Sequence, residues 1–419
     1  MASVKDYVQD LCKGAKSAAR GIAGADSATK NRALLLMAEN LTAAAGELKA
    51  ANAEDIASAR ADGRNAAYID RLTLTDKRIA EMVDGLRQVA TLPDPVGELI
   101  GGWNRPNGLQ IRKVRVPLGV ILIIYESRPN VTADAASLCL KAGNACILRG
   151  GSDAVNSNMA IAKQLSAALE SVGLDPKAVQ VVGRTARSVV GEILKRNDMI
   201  DVVIPRGGES LIRRVAEQST IPVVKHYKGV CHVYVDKRAS LTMAQEICLN
   251  AKCQRPATCN AMETMLVHKD MARRFLPKMA KAFAKAGTTL YGCKAARTLV
   301  PGIKPAKSDA WTTEYLDLIL NVRVVDSIEE AIEHIETYGS HHSDAIVTED
   351  YEAAQKFLNE VDSAAVYVNA STRFTDGAQF GMGAEIGIST DKLHARGPMA
   401  LPELTSYKFV VFGNGQLRT

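Results

Sequence analysis

One cysteine of the chain stands in a setting suited to nucleophilic chemistry. Cys259 lies in Asn250–Val267, NAKCQRPATCNAMETMLV, after a turn that contains Arg255 and Pro256 and before a predicted strand. A cysteine on such a loop can present its sulfur to a cleft at the end of the strand. Attack requires the thiolate, and only a few per cent of a free thiol is ionised at pH 7, so a nearby cation such as Arg255 matters. On these residues alone, a small buried hydrophobic role for Cys259 stays open.

The remaining cysteines and histidines lack the spacing of a metal site. Cys248, Cys253 and Cys259 follow Cys231-His232 along the chain, but no pair has the C-x-x-C spacing that is typical of zinc ligands. The pair His341-His342 lies in a predicted turn and fits a solvated loop better than a ligand set. We therefore predict that no metal is bound.

Two glycine pairs follow predicted strands and stand where backbone N–H groups can meet phosphate. Gly150-Gly151 follows Ala145–Arg149, and Gly207-Gly208 follows Val202–Ile204. The start of a helix at such a junction favours anions. Neither pair belongs to a G-x-G-x-x-G fingerprint, and each fits a tight turn equally well.

The elements that must position these residues follow an α/β pattern. Residues 1–95 are Ala-rich with helical periodicity, and Leu109–Val116 alternates polar and apolar residues, which predicts a β-ribbon. From Gly119 to about Asn369, short apolar runs alternate with helical stretches in two series, and Thr405–Phe412 predicts one more strand. This alternation is typical of doubly wound parallel sheets, so we predict two α/β domains.

The composition narrows the class of protein. The 419 residues carry 52 Lys+Arg against 46 Asp+Glu, a net charge of +6 without a basic tail, which argues against nucleic-acid binding. The longest apolar run, Val116–Tyr125, is far shorter than the ~20 residues of a membrane helix. The N-terminal segment has no apolar core, and Asp6 and Asp10 stand where targeting peptides avoid acids. Eight scattered cysteines indicate reduced thiols, so we expect a cytoplasmic protein with no membrane partner.

Five motifs follow one another from about Pro117 to the C-terminus. They are PLGVILIIYESRPNVTADAASLCLKAGNACILRGGSDA, DMIDVVIPRGGESLI, VVKHYKGVCHVYVD, NAKCQRPATCNAMETMLVH and YVNASTRFTDGAQFGMGAEIGISTDKLHARGPMALPELTSYK. Read together, they resemble the aldehyde dehydrogenase superfamily, and QRPATCNA and YESRPNVTADAA resemble its branch that reduces L-glutamyl 5-phosphate. The resemblance implies NADPH-dependent reduction of this acyl phosphate to L-glutamate 5-semialdehyde, a step of proline biosynthesis, through a thioester on Cys259.

The resemblance also implies two further roles beside Cys259. Asn130, in SRPNVT, falls where the superfamily has an amide that binds the developing oxyanion, and losing such a donor costs about 10²–10³ in turnover. In VVKHYKGVCH, His226 falls where hydrolytic members have a glutamate that activates water. An enzyme that passes its thioester to hydride has no use for that base.

Five positions are implied for the cofactor. Arg149 and Ser152 fall where the superfamily has a lysine and a glutamate at the adenosine ribose. Exchanging that carboxylate for a hydroxyl beside an arginine favours the 2′-phosphate, so we expect NADP(H). Gly207 and Gly208 take the place of the pyrophosphate-binding turn, and Glu314 that of the glutamate on the nicotinamide ribose, with a solvated glutamate at a helix start as the alternative.

The glutamyl group needs a cation for its α-carboxylate and an acceptor for its ammonium. The candidate cations are Arg128, Arg255, Lys225 and Arg373. The candidate acceptors are Glu126 and Glu385, and His226 is a further candidate contact. The sequence does not choose among them.

The implied architecture is aldehyde dehydrogenase-like, with two doubly wound α/β domains and a β-ribbon for oligomerisation. A cofactor-binding domain comprises 1–108 and 120–235, a catalytic domain comprises 236–400, and 109–119 forms the ribbon with the C-terminal strand 401–419. In this superfamily the ribbon extends a neighbouring subunit's sheet, which implies a homodimer or a dimer of dimers and protects an open strand edge.

The same resemblance bears on partners and on rival functions. No residues are left for a fused kinase, so we expect the acyl phosphate to come from a separate glutamate 5-kinase, with which a transient complex is a further hypothesis. The alternative enzyme is another superfamily member that oxidises an aldehyde to an acid or an acyl-CoA. A more distant alternative is a basic binding protein without catalytic activity.

Overall fold

The computed structural model describes residues 3–418 and separates into two units. The first unit comprises the chain up to Lys225 together with Gly381–Gly387 and the stretch from Met399 onward. The second comprises His226–Phe380 and Ile388–Pro398. Within residues 3–418, no helix is both long enough and apolar enough to span a bilayer.

The first unit begins with five helices. They are α1 (Val4–Ala23), α2 (Ser27–Ala43), α3 (Ala45–Ala61), α4 (Ala66–Leu72) and α5 (Asp76–Thr91). The predicted start of α5 at Thr75 is confirmed, because the Thr75 hydroxyl accepts the N–H of Arg78 and satisfies a donor that the first turn leaves free. The apolar stripe predicted from Ile79 to Val89 is buried.

Two strands and then a parallel sheet follow in the first unit. The strands β1 (Leu99–Asn104) and β2 (Gln110–Pro117) pair antiparallel. The sheet has the order β5-β4-β3-β6, with all neighbours parallel. Its strands are β3 (Val120–Tyr125), β4 (Ala145–Arg149), β5 (Val179–Val181) and β6 (Val202–Arg206). The helices between and after them are α6 (Asn130–Lys141), α7 (Val155–Ser171), α8 (Arg187–Ile193) and α9 (Glu209–Gln218).

Continuous burial marks β3 as the centre of this sheet. All six of its residues, VILIIY, are buried, which is expected for a parallel strand that is covered on both faces. The predicted strand at Val120–Tyr125 is therefore confirmed. The chain leaves β4 at Gly150 and β6 at Gly207, so four of the five predicted cofactor residues, Arg149, Ser152, Gly207 and Gly208, lie at the carboxyl edge of this sheet.

The second unit is built on a seven-stranded parallel sheet. Its strand order is β10-β9-β11-β8-β7-β12-β13. The strands are β7 (Cys231–Val235), β8 (Met262–His268), β9 (Thr289–Gly292), β10 (Lys304–Pro305), β11 (Ile319–Val325), β12 (Ser343–Val347) and β13 (Ala365–Val368). The helices are α10 (Leu241–Cys253), α11 (Lys269–Lys285), α12 (Lys294–Leu299), α13 (Ile328–Tyr338) and α14 (Tyr351–Glu360). Two short strands, β14 (Ile388–Ser389) and β15 (Gly397–Pro398), pair antiparallel.

The C-terminal strand β16 (Thr405–Phe412) completes a three-stranded antiparallel ribbon of order β1-β2-β16. It pairs with β2 from Thr405 opposite Pro117 to Phe412 opposite Gln110. The sequence predicted β2 and β16 as strands, but it did not predict β1. Gly102 makes the pairing possible, because a Cβ there would lie 2.8 Å from the carbonyl oxygen of Ile111 on β2.

Candidate active site

Cys259 lies on the short connection between α10 and β8 in the second unit. The Thr258 hydroxyl donates to the carbonyl of Arg255 at 2.9 Å, and the N–H of Ala261 donates to the carbonyl of Thr258 at 3.0 Å. These bonds close the connection into a tight turn. Its cysteine is a free thiol and is partly exposed. The turn therefore holds a free, partly exposed cysteine on a hydrogen-bonded backbone.

Asn260, the next residue, ties this turn to the segment that follows β13. Its side-chain N–H donates to the carbonyl of Thr375 at 2.9 Å, and its own carbonyl accepts the Thr372 hydroxyl at 2.7 Å. Arg373 donates to the Asn260 side-chain oxygen and, at 3.0 Å, to the Thr258 hydroxyl. These contacts hold both neighbours of Cys259 in place.

Arg373, proposed from the sequence as a substrate cation, is therefore part of the support of the cysteine turn. Burial lowers the pKa of Arg373, and the neighbouring Arg255 lowers it further, whereas negative charge on Cys259 acts in the opposite direction. The guanidinium and the sulfur are thus within electrostatic range of each other.

The carbonyl of Cys259 is held from the interior of the unit by Cys231 on β7. The Cys231 Sγ lies 3.2 Å from this carbonyl oxygen and 3.8 Å from Nδ1 of His342. Burial raises the pKa of the Cys231 thiol well above its ordinary value, so it stays protonated and can donate. His342 Nδ1 in turn lies 2.8 Å from the Ser343 hydroxyl, which lies 2.6 Å from the Thr375 hydroxyl.

The expectation that His341-His342 forms a solvated loop is wrong for His342. Its side chain is fully buried, and its ring lies 5.8 Å from that of His226 in an edge-to-face arrangement. Burial lowers the pKa of His342 to about 4, so it is neutral at pH 7. The turn residues precede β12 directly, and that strand carries His342 into the interior.

Gly229 makes the closest approach to the cysteine turn. A Cβ atom there would lie 2.7 Å from the Cα of Cys259 and closer still to its carbonyl group, so only glycine fits. The N–H of Gly229 donates to the Glu314 carboxylate at 2.9 Å, and Lys228 Nζ donates to the carbonyl of Thr312 at 2.7 Å. Glu314, predicted at the nicotinamide ribose, is thereby fixed beside the backbone that packs on Cys259.

A buried ion pair joins the two elements that flank this turn. Lys252 on α10 donates to Glu263 on β8 at 2.7 Å, and neither side chain is accessible to solvent. The other carboxylate oxygen of Glu263 accepts the N–H of Leu316 at 3.3 Å. Burial raises the pKa of Glu263 to about 7, with Lys252 opposing the shift. The roles of Gly229, Cys231 and this pair were not predicted from the sequence, although the glycine and the cysteine of KGVCH stand directly before and at the start of a strand.

The first unit contains Asn130 at the start of α6. Its side-chain N–H donates to the Asp134 carboxylate at 3.0 Å, one turn further along the helix. Burial raises the pKa of Asp134 to about 6, and the hydrogen bond from Asn130 opposes this shift. Because a side-chain amide has two N–H donors, Asn130 keeps one for a ligand.

A cavity of about 840 Å³ lies in the first unit at the carboxyl edge of its sheet. Its lining includes the predicted Arg149 and Ser152, and it carries more cations than carboxylates. The arginines are Arg64, Arg71, Arg149, Arg187 and Arg214, and the acids are Glu126 and Asp153. The size and the positive charge fit a nucleotide that bears several phosphates. Arg149 donates to the carbonyls of Gly150 and, at 3.2 Å, Thr185, and burial lowers its pKa.

The Gly207-Gly208 turn at the start of α9 is in contact with Glu126. The Glu126 carboxylate accepts the N–H of Gly208 at 2.7 Å, and a Cβ at Gly207 would lie 2.8 Å from the same side chain. The carboxylate therefore lies at the helix N-terminus, where negative charge is favourable. A phosphate that uses this N–H has to displace it. The role of Glu126 as an acceptor for the substrate ammonium, considered from the sequence, stays a prediction.

Comparison with known proteins identifies the family. The chain matches the model of the aldehyde dehydrogenase family over residues 2–290. It is 57% identical to the gamma-glutamyl phosphate reductase of Thermodesulfovibrio yellowstonii over 99% of both chains, and 55% identical to that of Moorella thermoacetica over 98% of both. The chain belongs to the gamma-glutamyl phosphate reductases of the aldehyde dehydrogenase family.

Solved structures agree with this assignment. The crystal structure of gamma-glutamyl phosphate reductase from Thermotoga maritima matches with a TM-score of 0.97 at 48% identity, covering 98% of this chain and 100% of the other. An acetylating aldehyde dehydrogenase from Geobacillus thermoglucosidasius matches with a TM-score of 0.68 at 16% identity, covering 99% and 98%. That second likeness concerns the fold alone. The predicted aldehyde dehydrogenase-like α/β fold and the predicted membership of the gamma-glutamyl phosphate reductases are both confirmed.

The predicted site residues of this gamma-glutamyl phosphate reductase family member fall into two groups. The first unit carries Asn130, Arg149, Ser152, Gly207, Gly208, Arg128, Lys225, Glu126 and Glu385. The second unit carries Cys259, His226, Glu314, Arg255 and Arg373. Within the second unit, Glu314, His226 and Arg373 are linked to the surroundings of Cys259 by the contacts above. The substrate contacts predicted for Arg128, Arg255, Lys225 and His226 stay predictions.

Proposed function

We propose that this chain catalyses the NADPH-dependent reduction of L-glutamyl 5-phosphate to L-glutamate 5-semialdehyde and phosphate, a step of proline biosynthesis. The main support is the 57% identity to a gamma-glutamyl phosphate reductase over 99% of both chains. Cys259, which is a free and partly exposed thiol on a hydrogen-bonded turn, supplies the nucleophile that this chemistry needs.

The reaction divides into two steps at Cys259. The thiolate attacks the acyl carbon of L-glutamyl 5-phosphate, the bond to the phosphate oxygen breaks, and a thioester forms while phosphate leaves. When bound, NADPH supplies the hydride that reduces this thioester. The resulting hemithioacetal then releases the semialdehyde and regenerates the thiolate of Cys259. Covalent catalysis of this kind replaces one difficult step by two easier ones.

In this proposal, the side chain of Asn130 and the backbone N–H of Cys259 bind the oxyanion that forms during the reaction. The remaining N–H of the Asn130 side chain is the donor, while the other is held by Asp134 at 3.0 Å. The Asp134 contact fixes the orientation of the amide before substrate binds, as an effective oxyanion donor requires.

The absence of a water-activating glutamate supports reduction over hydrolysis. His226 falls at that position, and its ring packs at 5.8 Å against His342, which is neutral at pH 7. Neither ring offers the carboxylate base that hydrolytic members use. The thioester on Cys259 is therefore not hydrolysed and remains available for reduction.

Aldehyde dehydrogenases use nicotinamide dinucleotides, and we propose NADP(H) for this chain. Arg149 and Ser152 both line the cationic cavity of the first unit, where a carboxylate at position 152 would repel a 2′-phosphate. Gly207 and Gly208 are the proposed pyrophosphate contacts, and Glu314 is the proposed contact of the nicotinamide ribose.

We also propose that the ribbon joins two subunits, giving a homodimer or a dimer of dimers. The strand β16 forms one edge of the ribbon, and its Tyr407, Phe409 and Val411 are about half exposed, as is Trp103 on β1. An exposed apolar edge strand pairs with another chain unless it is protected. Light scattering after size exclusion should give a dimer or tetramer mass, and Phe409→Lys should lower it; an unchanged mass would contradict the assignment to the ribbon.

The acyl phosphate substrate, which is labile in water, would come from a separate glutamate 5-kinase through a transient complex in the cytoplasm. All eight cysteines are free thiols, which fits a reducing compartment. Mixing the two enzymes should raise the coupled flux above that of the separated enzymes. Equal flux together with no co-purification would contradict the complex.

The decisive experiment follows NADPH absorbance in the aldehyde-oxidising direction. The reaction contains NADP⁺, L-glutamate 5-semialdehyde and inorganic phosphate, with Cys259→Ala in parallel and phosphate omitted from a third sample. We expect activity that requires both phosphate and Cys259. Activity without phosphate would assign the chain to an acid-forming or, with coenzyme A, an acyl-CoA-forming reaction, and no activity with any aldehyde would favour a binding protein.

A further inference from the structure

Arg64 reaches the cofactor cavity from the connection between α3 and α4. Its Nη2 forms an ion pair of 2.9 Å with the carboxylate of Asp153, and its guanidinium lies 4.9 Å from the centre of the Tyr68 ring. The Tyr68 hydroxyl donates to the same Asp153 oxygen at 2.6 Å. All three side chains line the cavity. Arg64 is thus held by a charged and an aromatic contact although about half of its side chain is exposed.

Asp153 is committed to these contacts and to Ser152. Its second carboxylate oxygen accepts the Ser152 hydroxyl at 2.9 Å. Burial acts to raise the pKa of Asp153, but the hydrogen bonds from Tyr68 and Ser152 and the charge of Arg64 outweigh it and lower the pKa. Three donors therefore surround a single carboxylate. Asp153 serves as an anchor for its neighbours, and its negative charge is balanced by Arg64.

Asp153 binds Arg64 through one carboxylate oxygen and Ser152 through the other. Ser152 is the proposed neighbour of the adenosine ribose. We propose that Arg64 is a specificity-determining residue that donates to the 2′-phosphate of NADP(H), with Tyr68 and Asp153 as its positioning residues. This inference rests on the proposed use of NADP(H) and extends it. A guanidinium has five N–H donors in a planar fork that matches phosphate, and the ion pair of Arg64 with Asp153 is formed through Nη2.

Arg64 fits this role better than the arginine expected from the sequence. Arg149 turns its guanidinium toward the backbone and donates to the carbonyls of Gly150 and Thr185. Arg71 lies further from the Tyr68 ring, at 5.9 Å, and forms no ion pair within residues 3–418. Among the arginines that line the cavity, all of them within residues 3–418, only Arg64 forms an ion pair with Asp153, which also binds Ser152. The N-terminal helical region, through Arg64, thereby contributes to the preference for NADP(H) over NAD(H).

Calorimetric titration of the full chain with 2′,5′-ADP and with 5′-AMP tests this role without relying on turnover. These probes differ by the 2′-phosphate. We expect the wild type to bind 2′,5′-ADP more tightly, and Arg64→Ala to lose about ten- to hundredfold of that affinity while 5′-AMP binding is unchanged. Arg60→Ala removes the same charge from an exposed site at the end of α3 outside the cavity, and it should keep the preference.

Two further variants separate positioning from folding. Arg64→Lys keeps the charge but not the fork and should restore part of the preference, and Tyr68→Phe should weaken 2′,5′-ADP selectively because Asp153 loses a donor. Unchanged melting temperatures and unchanged 5′-AMP affinity establish intact folding, and Arg64→Gln replaces Arg64→Ala should the latter fail to fold.

The outcomes distinguish this inference from the proposed function. A preference for 2′,5′-ADP in the wild type that Arg64→Ala retains would overturn the role of Arg64 and leave NADP(H) in place. Equal binding of the two probes by the wild type would overturn the NADP(H) assignment itself, and the role of Arg64 with it. Loss of the preference in Arg64→Ala but not in Arg60→Ala would support both.

Discussion

The backbone of Gly229 packs directly against Cys259, so closely that a Cβ atom at position 229 would lie 2.7 Å from the Cα of the cysteine. The same glycine donates its N–H to Glu314 at 2.9 Å. One residue without a side chain thus connects the proposed nucleophile with the proposed ribose contact.

Gly229→Ala should therefore inactivate the protein without unfolding it. The added methyl group forces Gly229 or Cys259 to shift, and a displacement of about 1 Å at a reacting atom can cost about 10² in rate. The rate of iodoacetamide labelling of Cys259 should change together with kcat, whereas 2′,5′-ADP binding in the first unit should not. Gly46→Ala, on α3 in open space, is the matched control. Wild-type turnover in Gly229→Ala would contradict the close approach.

Cys231 should matter as a hydrogen-bond donor. Cys231→Val removes the donor that lies 3.2 Å from the carbonyl of Cys259, and we expect kcat to fall about tenfold with little change in the KM of the dinucleotide. Cys231→Ser keeps a hydroxyl donor and should recover most of the activity. If the valine and serine variants are equally active, packing alone explains the position.

The buried carboxyl of Glu263 should give the protein a pH-dependent stability. Its pKa is raised from an ordinary value of 4.5 to about 7, so the folded state binds more protons than the unfolded state between these values. The contribution of Glu263 is fully present below about pH 4.5 and is lost as pH rises to about 7, by up to about 3 kcal/mol.

Glu263→Gln provides the measurement, because glutamine does not titrate. The melting temperature of the wild type relative to this variant should fall from pH 5 to pH 7 and then level off at higher pH. Glu329→Gln, at an exposed position on α13, is a control that should show no such trend in this range. A constant difference between wild type and Glu263→Gln across the range would mean that Glu263 is ionised throughout.

Glu126→Ala should strengthen the binding of nucleotides that carry a pyrophosphate. The Glu126 carboxylate accepts a hydrogen bond from the N–H of Gly208. The substitution frees this donor and removes one negative charge beside the cavity. We expect ADP to bind about two- to tenfold more tightly. Glu217→Ala, at an exposed position near the end of α9, controls for net charge. Weaker binding in Glu126→Ala would show that Glu126 contacts the nucleotide instead.

The fold class, the family and the turn that carries Cys259 could all be predicted from patterns in the amino-acid sequence. Apolar runs such as Val120–Tyr125 predicted buried parallel strands, because β3 is covered on both faces and needs no polar residues. The turn at Cys259 was also visible, since Arg255 and Pro256 are local signals that act within a few residues. Each of these properties depends on residues that are close together in the chain, so the sequence is sufficient to predict it.

The tertiary structure alone decided which residues support that cysteine and how. Cys231 and the carbonyl of Cys259 are 28 residues apart, Gly229 and Glu314 are 85 apart, and Cys231 and His342 are 111 apart. These pairs meet because β11, β8, β7 and β12 lie side by side in one parallel sheet, so the segments that lead into them reach the same edge. Burial then changes their chemistry, as it makes His342 neutral and keeps the Cys231 thiol protonated. Strand order, register and desolvation act between segments, so no local pattern in the chain could have predicted them.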